Sequence, residues 1–297
     1  MLQQLADDFC QRSNLSPASR TWYRDMLARF LPWAAAQGCS RPEDLTPDIV
    51  DAYARELTRI RTRRGTLLAP ASRKAYLKGL QEWLKWLARR HHVEEVDASL
   101  VQLPRLRKRD REVLSRQECQ QLEDAAPIER DKLLIRIMAD TGAREGEVAS
   151  MHVDDLVERE GRYHFVRIRG KTGLRLPPVR PELYRRLRAY AAGKTGRPRT
   201  SSRFLFMARR RRNGGDYEPL TEDGVYQAVK DAVARAELGR RVYPHLLRGS
   251  AITWMISKGM HPALISEITG VSVQVIMAHY SYPTAEQRHE AMARLWD

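Results

Sequence analysis

Apolar side chains recur along the first third of the chain at the spacing of amphipathic helices. Trp22, Met26, Phe30 and Trp33 are three or four residues apart, so a helix would place them on one face. A later stripe has the same spacing and consists of Tyr76, Leu80, Trp83, Leu84 and Leu87. Both stripes are predicted to pack inward, so residues 1–103 are expected to form a small helical bundle.

Helix starts in this region are marked by a capping residue followed by proline. Ser16-Pro17 and Thr46-Pro47 each supply a side chain that can cap the first turn. In each pair the proline suits the first helical position. The first apolar stripe is followed by Gly38, where a helix can end through a left-handed residue. One helix is therefore predicted between Pro17 and Gly38, and another is predicted to begin at Pro47.

A basic segment at residues 104–112 interrupts the helical pattern. Its sequence PRLRKRDR combines one proline with five Arg or Lys residues and has no helical period. These features are typical of an exposed interdomain linker, so a second domain is predicted over residues 113–297. The first helix of that domain should follow Ser115, because Ser115 and Glu118 have the spacing of a capping box.

Residues 162–179 depart from the helical period and favour a β-hairpin. Apolar and polar side chains alternate from Tyr163 to Ile168, and Gly170-Lys171-Thr172-Gly173 interrupts this alternation before Leu174. The rest of the second domain has helical patterns. The predicted fold class is mainly α with a small antiparallel β-sheet.

Charge narrows the range of partners. The 297 residues include 52 Lys and Arg against 37 Asp and Glu, which gives a formal net charge of +15. Such an excess attracts polyanions and favours nucleic acid, although ribosomal proteins, membrane-surface helices and cationic enzymes share it. Two arginine-rich runs, Arg59–Arg64 and Arg209–Arg212, are expected to lie in exposed turns.

Cysteine usage and hydropathy favour a cytoplasmic protein. Cys10, Cys39 and Cys119 are widely spaced, without the Cys-x-x-Cys pair of a zinc motif or an even-numbered disulfide framework. No apolar run reaches the roughly 18 residues needed to span a membrane. Residues 1–10 lack the basic start and apolar core of a signal peptide. We therefore expect a reducing compartment and no membrane contact.

The second domain carries groups suited to phosphodiester cleavage. That reaction needs a nucleophile, cations that stabilise a negatively charged pentacoordinate phosphorus, and an acid for the departing sugar oxygen. Thr141-Gly142 is predicted to end one helix, and Arg144 to stand near the start of the next, beside its free amides. The guanidinium of Arg144 could bind two phosphate oxygens at once.

His245 and Arg248 form a second candidate pair. They are three residues apart in Pro-His-Leu-Leu-Arg, so a helix would place both on one face, where they could meet a common phosphate. A capped structural histidine is the simpler interpretation of an isolated His-x-x-Arg. The order of this pair relative to the other groups therefore decides its meaning.

The order of the motifs resembles that of the tyrosine recombinases, which include phage integrases and the Xer proteins. Thr-Gly-x-Arg-x-x-Glu is followed by a Gly-Lys hairpin, then by His-x-x-Arg, then by a tyrosine near the C-terminus. The resemblance covers essentially the whole chain and is Xer-like in architecture. It implies a helical, SAM-like core-binding domain over residues 1–103, a basic linker over 104–112, and a tyrosine recombinase catalytic domain over 113–297.

The resemblance also implies a role for each matching residue. Arg144 and Arg248 would hold the scissile phosphate, and His245 would assist them. Lys171 in the hairpin turn would protonate the leaving 5′ oxygen of the DNA strand. Glu147 would brace the site.

Tyr280 matches the family nucleophile, which lies nine residues beyond another active-site position. That position is Val271 in this sequence, whereas the family usually has histidine or tryptophan, so one hydrogen bond to the phosphate would be missing and cleavage would be slower. Tyr282 is the rival nucleophile, but the spacing and the preceding His279 favour Tyr280. A 3′-phosphotyrosyl link keeps the bond energy for rejoining, so neither a metal nor a cofactor is implied.

Three alternatives fit part of the pattern. A catalytically silent DNA-binding homologue of the same fold is suggested by Val271, and such a protein would form no covalent link to DNA. A type IB topoisomerase shares the tyrosine chemistry but relaxes supercoils without exchanging strands, and the bundle-like first domain and the chain length argue against it. A basic RNA-binding protein would require every motif match to be a coincidence.

Double-stranded DNA is the partner that the resemblance implies, with four subunits acting on two DNA sites. The assembly would be a homotetramer or a heterotetramer with a related recombinase. Arg105, Arg107, Lys108 and Arg109 in the basic segment are candidate DNA contacts, although a solvated charged loop is an equally good interpretation. The tail Ala291–Asp297 could dock on a neighbouring subunit or on its own domain.

Overall fold

The computed structural model describes residues 1–12, 14–62, 64–91, 112–171, 173–211 and 215–280, with the backbone alone for residues 91, 210, 211, 279 and 280. Contacts divide the chain into two compact units, Met1–Arg109 and Asp110–Asp297. The predicted linker at residues 104–112 lies outside the described residues except for Glu112. Its role as a linker therefore stays a prediction.

The first unit is a bundle of helices. Its elements are α1 (Leu2–Cys10), α2 (Pro17–Ala36), a short 3₁₀ helix (Pro42–Asp44), α3 (Pro47–Glu56) and α4 (Pro70–His91). Phe30, Tyr53 and Trp83 are fully buried at its centre. The ring centroids of Phe30 lie 4.9 Å from those of Tyr53 and 6.0 Å from those of Trp83. The predicted inward packing of the two apolar stripes is confirmed for most of their members.

Trp22 is the exception, because 39% of it remains exposed. Its indole lies against Gly79 of α4, where an added Cβ would come 2.5 Å from the ring. The close approach of α2 and α4 at this end of the stripe therefore depends on a residue without a side chain.

The predicted helix starts are present, but only one is capped as expected. Ser16 accepts a hydrogen bond from the Ser19 amide at 3.2 Å, so its side chain caps α2. Thr46 precedes α3 but makes no side-chain capping bond. Pro47 and the main-chain carbonyl of Thr46 define that start instead.

The second unit contains eight α-helices and a short 3₁₀ helix (Val153–Asp155) among the described residues. The α-helices are α5 (Arg116–Ala125), α6 (Glu129–Thr141), α7 (Glu145–Ala149), α8 (Pro181–Ala191), α9 (Glu222–Ala236), α10 (Pro244–Ser257), α11 (Pro262–Thr269) and α12 (Val273–Tyr280). Helix α6 is buried along most of its length and contacts α5, α8, α9 and α10. The capping box predicted at Ser115 and Glu118 is confirmed, with bonds of 3.0 and 2.7 Å.

Six short strands form three antiparallel pairs in the described part of this unit. They are β1 (Leu156–Arg159) with β2 (Tyr163–Val166), β3 (Ile168–Gly170) with β4 (Gly173–Arg175), and β5 (Met207–Arg211) with β6 (Tyr217–Pro219). The prediction of a mainly α fold with small antiparallel sheet structure is therefore confirmed.

The hairpin predicted at residues 162–179 is correct at its tip but incomplete. Ile168 pairs with Arg175 and Gly170 with Gly173, whereas the preceding strand β2 also pairs with β1. The ladder breaks at Arg167, whose amide donates to the Asp155 carbonyl at 2.8 Å. Strand β1 was not predicted.

The arginine-rich runs differ from each other in structure. Arg61 is exposed and forms an isolated bridge with Leu67, as expected for a turn region. The expectation of a turn at Arg209–Arg212 is wrong for residues 209–211, which belong to β5 and pair with β6. Buried Met207 anchors the start of that strand. No helix in the described part of the chain has the length and apolar character needed to cross a membrane.

Candidate active site

Arg144 is the N-cap of α7, as its motif predicted. Helix α6 ends at Gly142, which adopts a left-handed conformation with φ of 65° and so turns the chain toward α7. The Arg144 amide donates to Glu147 Oε2 at 2.8 Å, and its Nη1 donates to Glu147 Oε1 at 2.8 Å. Because 41% of the Arg144 side chain is exposed, its guanidinium is accessible to a ligand.

Glu147 is buried beneath Arg144 and shared between two guanidinium groups. Arg175 donates to Glu147 Oε1 at 3.0 Å and to Oε2 at 2.5 Å. Burial opposes ionisation of Glu147, but hydrogen bonds from Arg175 and the Arg144 amide outweigh it, so the pKa of this carboxyl is lowered. The predicted bracing residue is therefore a charged carboxylate that hydrogen bonds hold on both oxygens.

Arg175 was not predicted as a site residue. Its side chain is only 7% exposed, and its Nε donates to the Ile268 carbonyl near the end of α11 at 3.0 Å. Leu174 beside it in β4 is 66% exposed. The apolar alternation suggested no inward arginine at this position, and only its partner Glu147 explains the burial.

The tip of the β3–β4 hairpin lies directly over this ion pair. A Cβ built on Gly170 would come 2.6 Å from Glu147 Oε1 and 2.9 Å from Arg175 Nη1, so only glycine permits the observed approach. Lys171 follows in the turn and is exposed. The hairpin therefore places the predicted lysine next to the segment that carries Arg144.

His245 and Arg248 both lie on α10, as predicted, but they differ in burial. His245 is exposed in the first turn of the helix. Arg248 is 2% exposed, and its Nη1 donates to the Gly142 carbonyl. Arg248 thereby connects α10 to the turn that precedes Arg144.

Val271 follows the left-handed end of α11 at Gly270. It is partly buried and packs against a small cluster formed by Ile252, Ile265 and Ile276. Ile276 belongs to α12, which ends at Tyr280. Val271 therefore packs against a cluster that includes a residue of the tyrosine-bearing helix, whereas the side chain of Tyr280 lies outside the described atoms.

Hydrogen bonds and close packing bring Arg144, Glu147, Arg248 and the hairpin that carries Lys171 into one region. Arg248 contacts the turn before Arg144, and Glu147 and Arg175 connect Arg144 to the hairpin and to α11. A Cβ on Gly142 would lie 3.2 Å from Thr269 Cγ2, so the α6–α7 turn also meets the end of α11. The candidate DNA contacts lie outside the described residues and are Arg105, Arg107, Lys108 and Arg109. The same is true of Tyr282 and the tail Ala291–Asp297.

Metal ligands do not cluster in the described part of the chain. No group of three or more His, Cys, Asp or Glu side chains there is arranged to hold a metal ion. Cys10, Cys39 and Cys119 are buried free thiols, and burial raises the pKa of Cys119 to about 12. A thiol with so high a pKa is a poor nucleophile at neutral pH.

Comparison with known proteins identifies the class to which this fold and site belong. The model of the phage integrase family matches residues 112–287, so the chain belongs to that family. It is a tyrosine recombinase, similar over most of its length to Xer proteins. It is 29% identical over 281 residues to tyrosine recombinase XerC 2 of Ralstonia nicotianae, covering 90% of this chain and 78% of that protein.

Two further likenesses extend over similar lengths. Tyrosine recombinase XerD of Corynebacterium glutamicum is 28% identical, with 93% of this chain and 91% of that protein covered. The Tn1549 transposon integrase, solved in complex with transposon right end DNA, has a TM-score of 0.75 at 16% identity, with 99% of both chains covered. A lambda integrase dimer bound to a core site has a TM-score of 0.68 at 15% identity, with 94% of this chain and 93% of that one covered. These structural likenesses support the fold.

Proposed function

We propose that this recombinase cleaves and rejoins double-stranded DNA at specific sites through a 3′-phosphotyrosyl intermediate on Tyr280. The observation that carries the proposal is the connected unit of Arg144, Glu147, Arg175 and Arg248. It presents the partly exposed guanidinium of Arg144, whose planar donors can bind two phosphate oxygens at once. The motif order extends the site to Lys171, His245 and Tyr280.

Arg144 and Arg248 stabilise the phosphorus in the transition state, and His245 assists them. Guanidinium groups suit this role because their planar donors bind two non-bridging oxygens at once. Glu147 holds Arg144 in place by accepting hydrogen bonds from the Arg144 amide and from the Arg144 guanidinium. A pentacoordinate phosphorus carries more charge than the ground-state diester, so fixed cations lower the barrier.

The reaction transfers a phosphoryl group from a sugar oxygen to tyrosine. Tyr280 gives up its phenolic proton to water as Oη bonds to phosphorus, the bond from phosphorus to the 5′ oxygen breaks, and Lys171 gives a proton to that oxygen. Religation is the reverse of this step with a new 5′ hydroxyl. Because positive side chains supply the charge stabilisation, the reaction needs neither a metal nor ATP.

Assembly follows from the chemistry of strand exchange. Exchange between two duplexes requires four strands to be cut, and each subunit carries one Tyr280. We therefore propose four subunits on two DNA sites, either identical or shared with a related recombinase. The net charge of +15 favours close contact with phosphates, and Arg105, Arg107, Lys108 and Arg109 are proposed to supply part of it.

The test is covalent capture of DNA. Binding sites for the full chain are selected from a random duplex library. Each selected site is then rebuilt with a nick, so that the short strand released by cleavage diffuses away. In EDTA, the wild type and Tyr282→Phe should give a denaturation-resistant adduct, whereas Tyr280→Phe should give none. Adduct formation that requires added Mg²⁺ would contradict the proposed mechanism.

Val271 favours one second candidate, a DNA-binding homologue that cannot cleave. Valine offers no donor at a position where the family usually has histidine or tryptophan. Specific binding to selected sites, with no adduct on any nicked version of them, would support this candidate and exclude the first.

A further inference from the structure

The Arg175 side chain joins three segments of the candidate site. It belongs to β4, donates two hydrogen bonds to Glu147 of α7, and donates a third to the Ile268 carbonyl in α11. The α7 segment begins at Arg144, and α11 leads through Val271 to the helix that ends at Tyr280. The planar guanidinium of Arg175 therefore holds these segments together through its hydrogen bonds.

The same ion pair supports the tip of the β3–β4 hairpin. Gly170 approaches so closely that a Cβ would lie 2.6 Å from Glu147 Oε1 and 2.9 Å from Arg175 Nη1. Gly170 pairs with Gly173 across the turn that contains Lys171. The position of the lysine backbone is therefore fixed by contact with the Glu147–Arg175 pair.

Arginine is suited to this position in a way that lysine is not. Its three observed hydrogen bonds use Nε, Nη1 and Nη2 in one plane, whereas an ammonium group is a compact point charge. Both partners of the ion pair are 7% exposed, so the carboxylate depends on its protein donors. Replacement by lysine would keep the charge but lose the fixed geometry.

We propose that Arg175 is a positioning residue for the general acid, holding the hairpin so that Lys171 reaches the departing 5′ oxygen. This inference rests on the proposed function. Arg175 is buried, with its guanidinium bonded to Glu147 and the Ile268 carbonyl, so it acts through Gly170 and Glu147. Arg144 has its own two hydrogen bonds to Glu147, so we expect a change at Arg175 to affect the hairpin and proton delivery more than phosphate binding at Arg144.

A change of leaving group tests this assignment. In a substrate with sulfur in place of the bridging 5′ oxygen, the departing thiolate needs no proton, because a thiol is far more acidic than an alcohol. Arg175→Lys should form the covalent adduct about 100-fold more slowly than wild type on the oxygen substrate. On the sulfur substrate its single-turnover rate should approach that of the wild type.

Matched variants separate positioning from general stability. Lys171→Ala should show the same sulfur rescue, because it removes the acid itself. Arg240 resembles Arg175 in bonding, since it donates to both oxygens of Glu118 and to the Val113 carbonyl. Arg240→Lys should lower the thermal unfolding temperature while cleaving both substrates at the wild-type rate.

Two results would overturn the inference: cleavage of the oxygen substrate by Arg175→Lys at the wild-type rate, or an equal slowing of Arg175→Lys on both substrates. If Arg175→Lys does not fold, the double variant Arg175→Met, Glu147→Gln removes both buried charges. It is judged by the same comparison of its cleavage rates on the sulfur and oxygen substrates. Failure of the wild type to form an adduct on either substrate would instead refute the proposed function.

Discussion

Val271 is the residue at which this site departs from its family. It packs against Ile252, Ile265 and Ile276, so the valine is part of the apolar cluster against which α12 packs. Val271→His should restore a hydrogen-bond donor and raise the cleavage rate about tenfold, with some loss of packing stability. Single-turnover adduct formation measures this effect.

The matched control is Val271→Leu, which changes the packing but adds no donor. It should leave the cleavage rate at or below that of wild type. A folded Val271→His protein with the rate of Val271→Leu would show that the phosphate does not need a donor from this position.

Glu147 predicts a dependence of stability on pH. Its pKa is lowered from the ordinary value of 4.5 in the folded protein, because hydrogen bonds from Arg175 and Arg144 overcome the effect of burial. A carboxyl with a depressed folded pKa contributes stability above its unfolded pKa and loses that contribution as pH falls through the folded pKa. Glu147→Gln should therefore be less stable than wild type at neutral pH.

The difference between these two proteins should shrink on acidification. Urea unfolding at several values from about pH 7 to pH 3 measures the free energy of unfolding of both. Parallel curves throughout this range would contradict an ionised, stabilising Glu147.

Arg144, Lys171, His245 and Arg248 are predicted as site residues because they stand in motifs whose order resembles that of the tyrosine recombinases. No motif includes Arg175. Arg175 is flanked by Leu174 and Leu176, yet the arginine is buried and Leu174 is exposed. The burial of an arginine depends on a carboxylate distant in sequence, so no local period reveals it.

At the scale of elements, the hairpin that carries Lys171 depends on the absence of a side chain at Gly170. Gly170→Ala would place a Cβ within 3 Å of both Glu147 and Arg175, so the strand must shift away. We expect a loss of about 1–3 kcal/mol in the free energy of unfolding and slower adduct formation. Urea denaturation and single-turnover cleavage measure the two effects.

Gly249 provides the control for this change. It lies within α10, and a Cβ added there meets nothing within 4 Å. Gly249→Ala should raise stability by about 0.5–1 kcal/mol through its better helix propensity. If Gly170→Ala is as stable and as active as wild type, the contact between the hairpin and the Glu147–Arg175 ion pair contributes to neither property.

Element prediction succeeded where local signals were strong. The start of α2 at Pro17 has a capping serine, and α6 ends at Gly142 in the left-handed conformation. Strand β1 is only four residues long and exposes half of them, so it has little alternation to detect. Strand β5 consists largely of arginines, which favour a prediction of exposed turn, and its pairing with β6 is a tertiary contact.

For the whole molecule, the net charge of +15 predicts binding that weakens steeply with salt. Affinity for duplex DNA should fall by about 10³ or more between roughly 50 and 200 mM salt. The logarithm of the association constant should fall linearly with the logarithm of the salt concentration. Replacing Arg105, Arg107, Lys108 and Arg109 together by alanine should make that slope shallower by up to about 3.6. Fluorescence anisotropy with a labelled selected site measures both.

An unchanged slope in the fourfold variant would show that the basic segment is a solvated loop and not a phosphate contact. The domain boundary at residues 104–112 is predicted because proline and charge interrupt the helical period there. The number of subunits on DNA has no such local signal, since contacts between chains follow no periodicity within one sequence.

The proposed mechanism is tested by locating the covalent bond on the protein. Adduct trapped on a nicked substrate in EDTA is digested with nuclease and protease, and mass spectrometry identifies the tyrosine that carries the nucleotide. The nucleotide is expected on Tyr280 and not on Tyr282. A nucleotide on Tyr282, or a substrate cut without any protein-linked nucleotide, would refute the phosphotyrosyl mechanism on Tyr280.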